Sequence, residues 1–172
     1  MKIDIKALKE NKNYIEFEEL PDSIGFKVKG MELSWPVQLK LEVVRSGEHY
    51  ICEGKIITRI GFECSRCLMK YNQSIESEIR FILKEDKDQI ILESDEGENQ
   101  VQSGRFFSLD GLVRENIVLS LPLKPLCSEN CKGLCPSCGA NWNLTLCECK
   151  KEVIDPRWEK LKNLKLEDRD RE

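Results

Sequence analysis

Six cysteines crowd the stretch Cys127-Ser-Glu-Asn-Cys131-Lys-Gly-Leu-Cys135-Pro-Ser-Cys138 and the Cys147-Glu-Cys149 that follows it; two more form Cys64-Ser-Arg-Cys67. No other feature limits the fold as strongly. A Cys-x-x-Cys step at a turn brings two thiolates close enough to share one ion, and zinc takes four such ligands in a tetrahedron. Cys64, Cys67, Cys127, Cys131, Cys135, Cys138, Cys147 and Cys149 supply eight ligands, enough for two four-thiolate sites, and Cys52 is left over. Cys135 and Cys138 form a compact local set with Cys147 and Cys149, because Gly139 and Asn141-Trp142-Asn143 can close a tight ribbon turn. Cys127 and Cys131 then join Cys64 and Cys67, which ties the C-terminal segment back to the middle of the chain. The spacing favours this pairing and leaves others open. The expected cofactors are up to two structural zinc ions, with an iron–sulfur cluster as the alternative that four cysteines also suit.

A chain of 172 residues allows one domain, or one with a small appendage. No apolar run approaches the roughly 20 residues of a membrane span, and Met-Lys-Ile-Asp-Ile-Lys lacks the apolar centre of a secretory signal. The expectation is a cytoplasmic protein without membrane partners, whose reduced thiols serve metal rather than disulfides. A net charge of -4 and a pI near 5.3 argue against broad, non-specific nucleic-acid binding. Locally the balance reverses: Lys124, Lys132, Lys150 and Lys151 face only Glu129 and Glu148. With Trp142 at a knuckle tip and Arg66 inside the first cysteine pair, these lysines are the candidate RNA contacts, the indole stacking a base and the cations meeting phosphates. The competing roles are packing over the metal site for Trp142 and hydrogen-bonding the turn for Arg66.

Period-two alternation fills the first half. Ile15 and Phe17 alternate with glutamates; Ile24, Phe26 and Val28 follow a Pro21-Asp22 turn; Val37, Leu39, Leu41 and Val43 share a face. After a Ser46-Gly47 turn come Ile56, Thr58, Ile60, Phe62 and Cys64, then Ile75, Ser77, Ile79, Phe81 and Leu83. Short turns between strands predict an antiparallel, barrel-like sheet with Cys64–Cys67 at one end. Residues 85–104 are rich in Asp and Glu and read as a solvated loop, with room for a strand near Ile90. The period then switches: Leu109, Leu112, Val113 and Ile117 predict a covering helix over 108–121 with Ser108 as its cap. Asp155-Pro156 predicts a short C-terminal helix with Trp158, Leu161 and Leu164 on its apolar side. The fold class is therefore α+β, in two parts: residues 1–126 as the sheet domain and 127–172 as a cysteine-rich element packed on it.

Catalysis finds little footing. The single histidine, His49, sits beside a hairpin turn, where a surface role is the ordinary one. Cys64–Cys67 lacks the βαβ setting of a thioredoxin-type pair, and neither a Walker loop nor a dinucleotide fingerprint occurs. The expectation is not an enzyme. A redox or metal-sensing switch is a third reading, behind a binding factor and a protein adaptor.

The order of motifs carries a resemblance. Cys64-Ser-Arg-Cys67-Leu68 precedes an amphipathic helix running into Leu119-Ser-Leu-Pro122-Leu; Pro125-Leu-Cys127, Cys131-Lys-Gly-Leu-Cys135-Pro-Ser-Cys138-Gly, Cys147-Glu-Cys149 and Asp155-Pro156-Arg157 follow. Over nearly its whole length the chain resembles the YceD family, bacterial large-ribosomal-RNA-subunit accumulation proteins with chloroplast relatives. That resemblance implies a non-enzymatic factor for the synthesis, processing or accumulation of large-subunit ribosomal RNA. Its partner would be that RNA or a pre-ribosomal particle; the alternative is an adaptor for a ribosomal protein or processing nuclease that never touches RNA. The family's Cys-x-Arg-Cys element maps onto Cys64, Arg66 and Cys67, and the cysteine-rich element of one branch onto the six C-terminal cysteines.

Overall fold

Alternating side chains need one dry face, and the first half of the chain provides it with a single antiparallel sheet. In the computed structural model, residues 1–28, 30–93, 100–149, 157–158 and 161 are described. The sheet's strands are β2 (Lys12–Glu19), β3 (Met31–Glu32), β4 (Val37–Ser46), β5 (His49–Glu63), β6 (Lys70–Asp86), β7 (Gln89–Glu93) and β8 (Gln100–Ser103). They are ordered β2-β4-β5-β6-β7-β8, with β3 pairing β5 off that path. A separate two-stranded sheet joins β1 (Lys2–Asp4) to β9 (Phe106–Ser108), a pairing that no sequence pattern announced. Among the described residues two α-helices complete the fold, α1 (Pro21–Ile24) and α2 (Asp110–Leu119), beside a 3-10 turn at Ile5–Ala7. None of the described helices is long and apolar enough to cross a membrane. The chain divides into two units, Met1–Cys131 and Lys132–Glu172.

The core of the first unit follows the alternation. Val37, Leu39, Leu41 and Val43 of β4 meet Tyr50, Cys52, Ile56, Ile60 and Phe62 of β5, with Ile75, Ile79, Phe81 and Leu83 of β6 beside them. Each fully buried aliphatic side chain here contributes about 2 kcal/mol of burial energy. Leu109 at the N-cap and Val113 and Ile117 within α2, each four residues apart, lay one face of the helix on this layer. Gly54 is required where β4 and β5 close up, since a Cβ there would sit 2.1 Å from the Lys40 carbonyl oxygen. The opposite face is charged and largely self-neutralised. Lys12 pairs with Glu42, Lys55 with Glu76, and Arg80 with Glu53, at 2.5 to 3.0 Å. Exposed as they are, these pairs are screened by solvent and add little to stability.

Four expectations need correction. The sheet is open rather than barrel-like, since no ladder joins its edge strands β2 and β8. The physical reason lies in β7 and β8, which are short: β7 pairs only with the Ile82–Asp86 end of β6 and β8 only with β7, too little strand to carry the sheet round to β2. Ile24–Val28 does not form a strand: Pro21 opens a helical turn as its first residue and Gly25, at φ 68°, closes it in the left-handed region. The acidic stretch 85–104 is not simply a loop, because Ile90 and Leu92 bury their side chains and recruit β7, which β8 then flanks. Ser108 ends β9 and does not cap α2; its hydroxyl donates to the Asp110 carboxylate at 2.8 Å, and Leu109 takes the N-cap position. The acidic residues 94–99 lie outside the described residues. So does most of the expected C-terminal helix, of which Trp158 and Leu161 are described and exposed.

Candidate metal centres

The β5–β6 hairpin ends in a knuckle. Cys64 N–H donates to the Met69 carbonyl and Leu68 N–H to the Cys64 carbonyl, both at 2.9 Å. Leu68 takes φ 58°, the left-handed conformation that lets the chain turn back under the sulfurs. A second knuckle repeats this geometry in the other unit. Cys135 N–H donates to the Ala140 carbonyl at 2.8 Å, Gly139 N–H to the Cys135 carbonyl at 2.9 Å, and Gly139 takes φ 74°.

Around each knuckle four sulfurs converge. Cys64, Cys67, Cys127 and Cys131 form one group and Cys135, Cys138, Cys147 and Cys149 the other, all sulfurs within 4.8 Å of one another in each. This is the pairing that the spacing favoured. In the first group, Cys64 and Cys131 lie 3.8 Å apart and Cys67 and Cys127 3.5 Å. A tetrahedron with zinc–sulfur bonds of about 2.3 Å has edges of about 3.8 Å, so the donor set fits a single ion. Cys52 stays apart in the core, where burial pushes its thiol up to about 12.

The electrostatics point the same way. Burial pushes the Cys64 thiol up, but the backbone amides of Cys127, Cys67 and Arg66 outweigh it and bring it down to about 6. At Cys135 the amides of Cys138 and Ser137 do the same against opposing burial, again to about 6. Cys127 and Cys149 move oppositely, to about 12, each chiefly because of the sulfur beside it, Cys67 for one and Cys138 for the other. Each group thus has one thiol prepared to ionise and another that keeps its proton chiefly through its hydrogen bond with a neighbouring sulfur. A divalent cation would replace those protons and allow all four to ligate as thiolates.

The remaining candidates divide between the units. Arg66 donates to the carbonyls of Cys131 at 2.9 Å and Glu129 at 3.5 Å, locking the 129–131 loop against the first knuckle. Ser65 N–H takes the Pro125 carbonyl at 2.9 Å, a second tie. Lys124 is exposed in the same unit. In the second unit Lys132 is exposed and its backbone N–H donates to the Asn143 side chain at 2.8 Å. The Trp142 indole N–H donates to the Cys147 sulfur at 3.3 Å, which ties the ring to the second four-sulfur group. Lys150 and Lys151 lie outside the described residues. His49 opens β5 and faces Glu93 at 3.5 Å.

Sequence reasoning missed Tyr71. Its ring stacks on Phe62 at 5.7 Å, and among the described residues its buried hydroxyl finds no acceptor for its proton, the Leu126 backbone lying beside the oxygen. Burial first, then the sulfurs of Cys64 and Cys127, raise its phenol above the ordinary tyrosine range. The available signal was position alone, since Tyr71 begins the alternating run just after the knuckle.

Residues 52–165 match the sequence model of a family described as "Large ribosomal RNA subunit accumulation protein YceD". A chloroplastic YCED homolog 1 of Arabidopsis thaliana, named as a large ribosomal RNA subunit accumulation protein, is 26% identical over 156 residues, covering 76% of this chain and 49% of that protein. The maize protein of the same name is 27% identical over 153 residues, with 73% and 52% covered. An uncharacterized protein of Mycobacterium tuberculosis strain H37Rv is 28% identical over 145 residues, with 82% and 68% covered. The chain spans about half the length of the plant relatives it matches. No solved structure matches the chain.

Proposed function

This chain belongs to the YceD family, and from that membership we propose that it is a non-enzymatic factor supporting the synthesis, processing or accumulation of large-subunit ribosomal RNA. It acts in the cytoplasm by binding that RNA or a pre-ribosomal particle. The observation that carries the reading is the convergence of eight of the nine cysteines into two four-sulfur groups within a chain of this family. Four thiolates complete a zinc tetrahedron and leave no position open for water, which suits a structural ion and not a catalytic one. Zinc fits better than an iron–sulfur cluster, because a polynuclear cluster holds its cysteine sulfurs farther apart than the edges of a single-ion tetrahedron. When bound, the ion supplies cross-linking and charge neutralisation. The residues around it do the positioning: Arg66 fixes the 129–131 loop and Trp142 orients Cys147. Lys124, Lys132, Lys150 and Lys151 then supply the phosphate contacts.

A second reading, a protein adaptor for a ribosomal protein or processing nuclease, draws support from the same hydrogen bonds. The polar groups of Arg66 and Trp142 are already engaged internally, and the charged sheet face neutralises itself. Crosslinking RNA to the protein in living cells separates the two. Enrichment of one segment of large-subunit ribosomal RNA, lost on charge reversal of the four lysines, is the expected result. A protein partner recovered after nuclease treatment, with no RNA enriched over control, would overturn it in favour of the adaptor.

A further inference from the structure

The Tyr71 hydroxyl is buried; the Leu126 backbone lies beside its oxygen, but among the described residues its proton meets no acceptor. Such an orphan calls for an acceptor. Register places one close by: Tyr71 pairs directly with Phe62 across the β5–β6 ladder, so the two share a face. Cys64 lies two residues beyond Phe62, and the knuckle returns from it to Lys70 through the Met69 carbonyl. Stacking on Phe62 fixes the ring, and the hydroxyl lies within electrostatic reach of both Cys64 and Cys127. A thiol is a weak acceptor, whereas a metal-bound thiolate is an anion that welcomes a donor. The second centre already contains such a donor, since the Trp142 indole N–H meets the Cys147 sulfur at 3.3 Å.

We propose that Tyr71 is a positioning residue of the first centre: with the ion bound, its single hydroxyl proton is shared between the thiolates of Cys64 and Cys127, much as the Trp142 indole N–H is given to Cys147 at the second. The proposal rests on the metal reading of the first centre. Loss of the hydroxyl alone leaves the ring, its stacking and the ligands in place. What changes is the electron density on sulfur and the hold on the ion, as happens when partners of metal ligands are removed.

The test uses the full chain in a Cys147→Ser/Cys149→Ser background, which leaves the first centre as the four-sulfur site, loaded with cobalt(II). Tyr71→Phe is expected to move the sulfur-to-cobalt charge-transfer bands to lower energy and to weaken cobalt affinity on the order of tenfold. Replacing tyrosine by 3-fluorotyrosine, a stronger donor of the same shape, is expected to move the bands to higher energy, an effect that Tyr71→Phe abolishes. Unchanged bands and affinity in both proteins would overturn the assignment while leaving the metal centre standing. A parent protein that takes up no cobalt at this centre would overturn the metal reading, and the role of Tyr71 with it.

Discussion

The knuckles at Cys64–Leu68 and Cys135–Gly139 close with the same two backbone hydrogen bonds, yet their mountings have little in common. The first caps the hairpin of the two longest strands, 15 and 17 residues, and its ligands Cys64, Cys67 and Cys131 are at most 3% exposed. The second sits among short turns and one isolated bridge, Leu134 to Asn141, with Cys138 and Cys149 exposed. The first joins sulfurs 60 residues apart at Cys67 and Cys127; the second joins near neighbours. A knuckle's conformation is thus a local matter. How much an ion there would do for the fold depends on the length of chain it closes and on the dryness of the place.

Ligand removal should give the largest contrast. By loop-closure entropy a cross-link spanning 60 residues contributes about 4 kcal/mol, against about 2.5 for the span from Cys138 to Cys147. Cys64→Ser should lose about one metal equivalent and lower the thermal transition of the 1–131 unit sharply. Cys138→Ser should also lose about one equivalent and leave that transition nearly where it was. Calorimetry beside metal analysis checks both, and loss of both ions from either change would show that the centres are not independent.

Chelator challenge comes next in size. Exposed ligands offer a route for attack, so the second centre should surrender its ion several-fold faster, read as two phases of zinc release. A single phase would erase the distinction.

Exchanging the turn residues sharpens it at the level of backbone. Gly139→Leu should destabilise the second knuckle by about 1–2 kcal/mol, the cost of a side chain in the left-handed region. Leu68→Gly should relieve the same strain and stabilise the first by somewhat less, since glycine adds unfolded-state entropy. Equal signs in denaturant titrations would refute the equivalence of the two turns.

The smallest effect concerns pH in the metal-free chain. The thiols of Cys64 and Cys135 are lowered to about 6, so the stability they contribute is present above the ordinary thiol range, near 9, and fades as pH falls through about 6. Alkylation rates followed against pH should give a midpoint near 6 for both residues, despite their different mountings. Midpoints near 9 would refute the account of the backbone amides.

What could be read without coordinates follows from range. The strands carrying Val37–Val43 and Ile75–Leu83 were legible because one buried face imposes a period of two, and α2 because Leu109, Val113 and Ile117 recur at helical spacing. The knuckles were legible because Cys-x-x-Cys chemistry is settled within six residues. The openness of the sheet was not, because closure depends on how far β7 extends along β6 and β8 along β7, a matter of long-range pairing. Nor was the β1–β9 pair, whose three-residue strands are too short to show a period. Arg66 and Trp142 were visible as residues, but their roles were decided by which carbonyl or sulfur came within reach. The chain's own order of residues therefore determined the local turns, the alternating faces and the supply of thiolates. Tertiary structure alone decided which thiols are dry, which distant segments each ion would bind together, and where a lone tyrosine hydroxyl ends up, because burial and charge proximity exist only once remote parts of the chain have met.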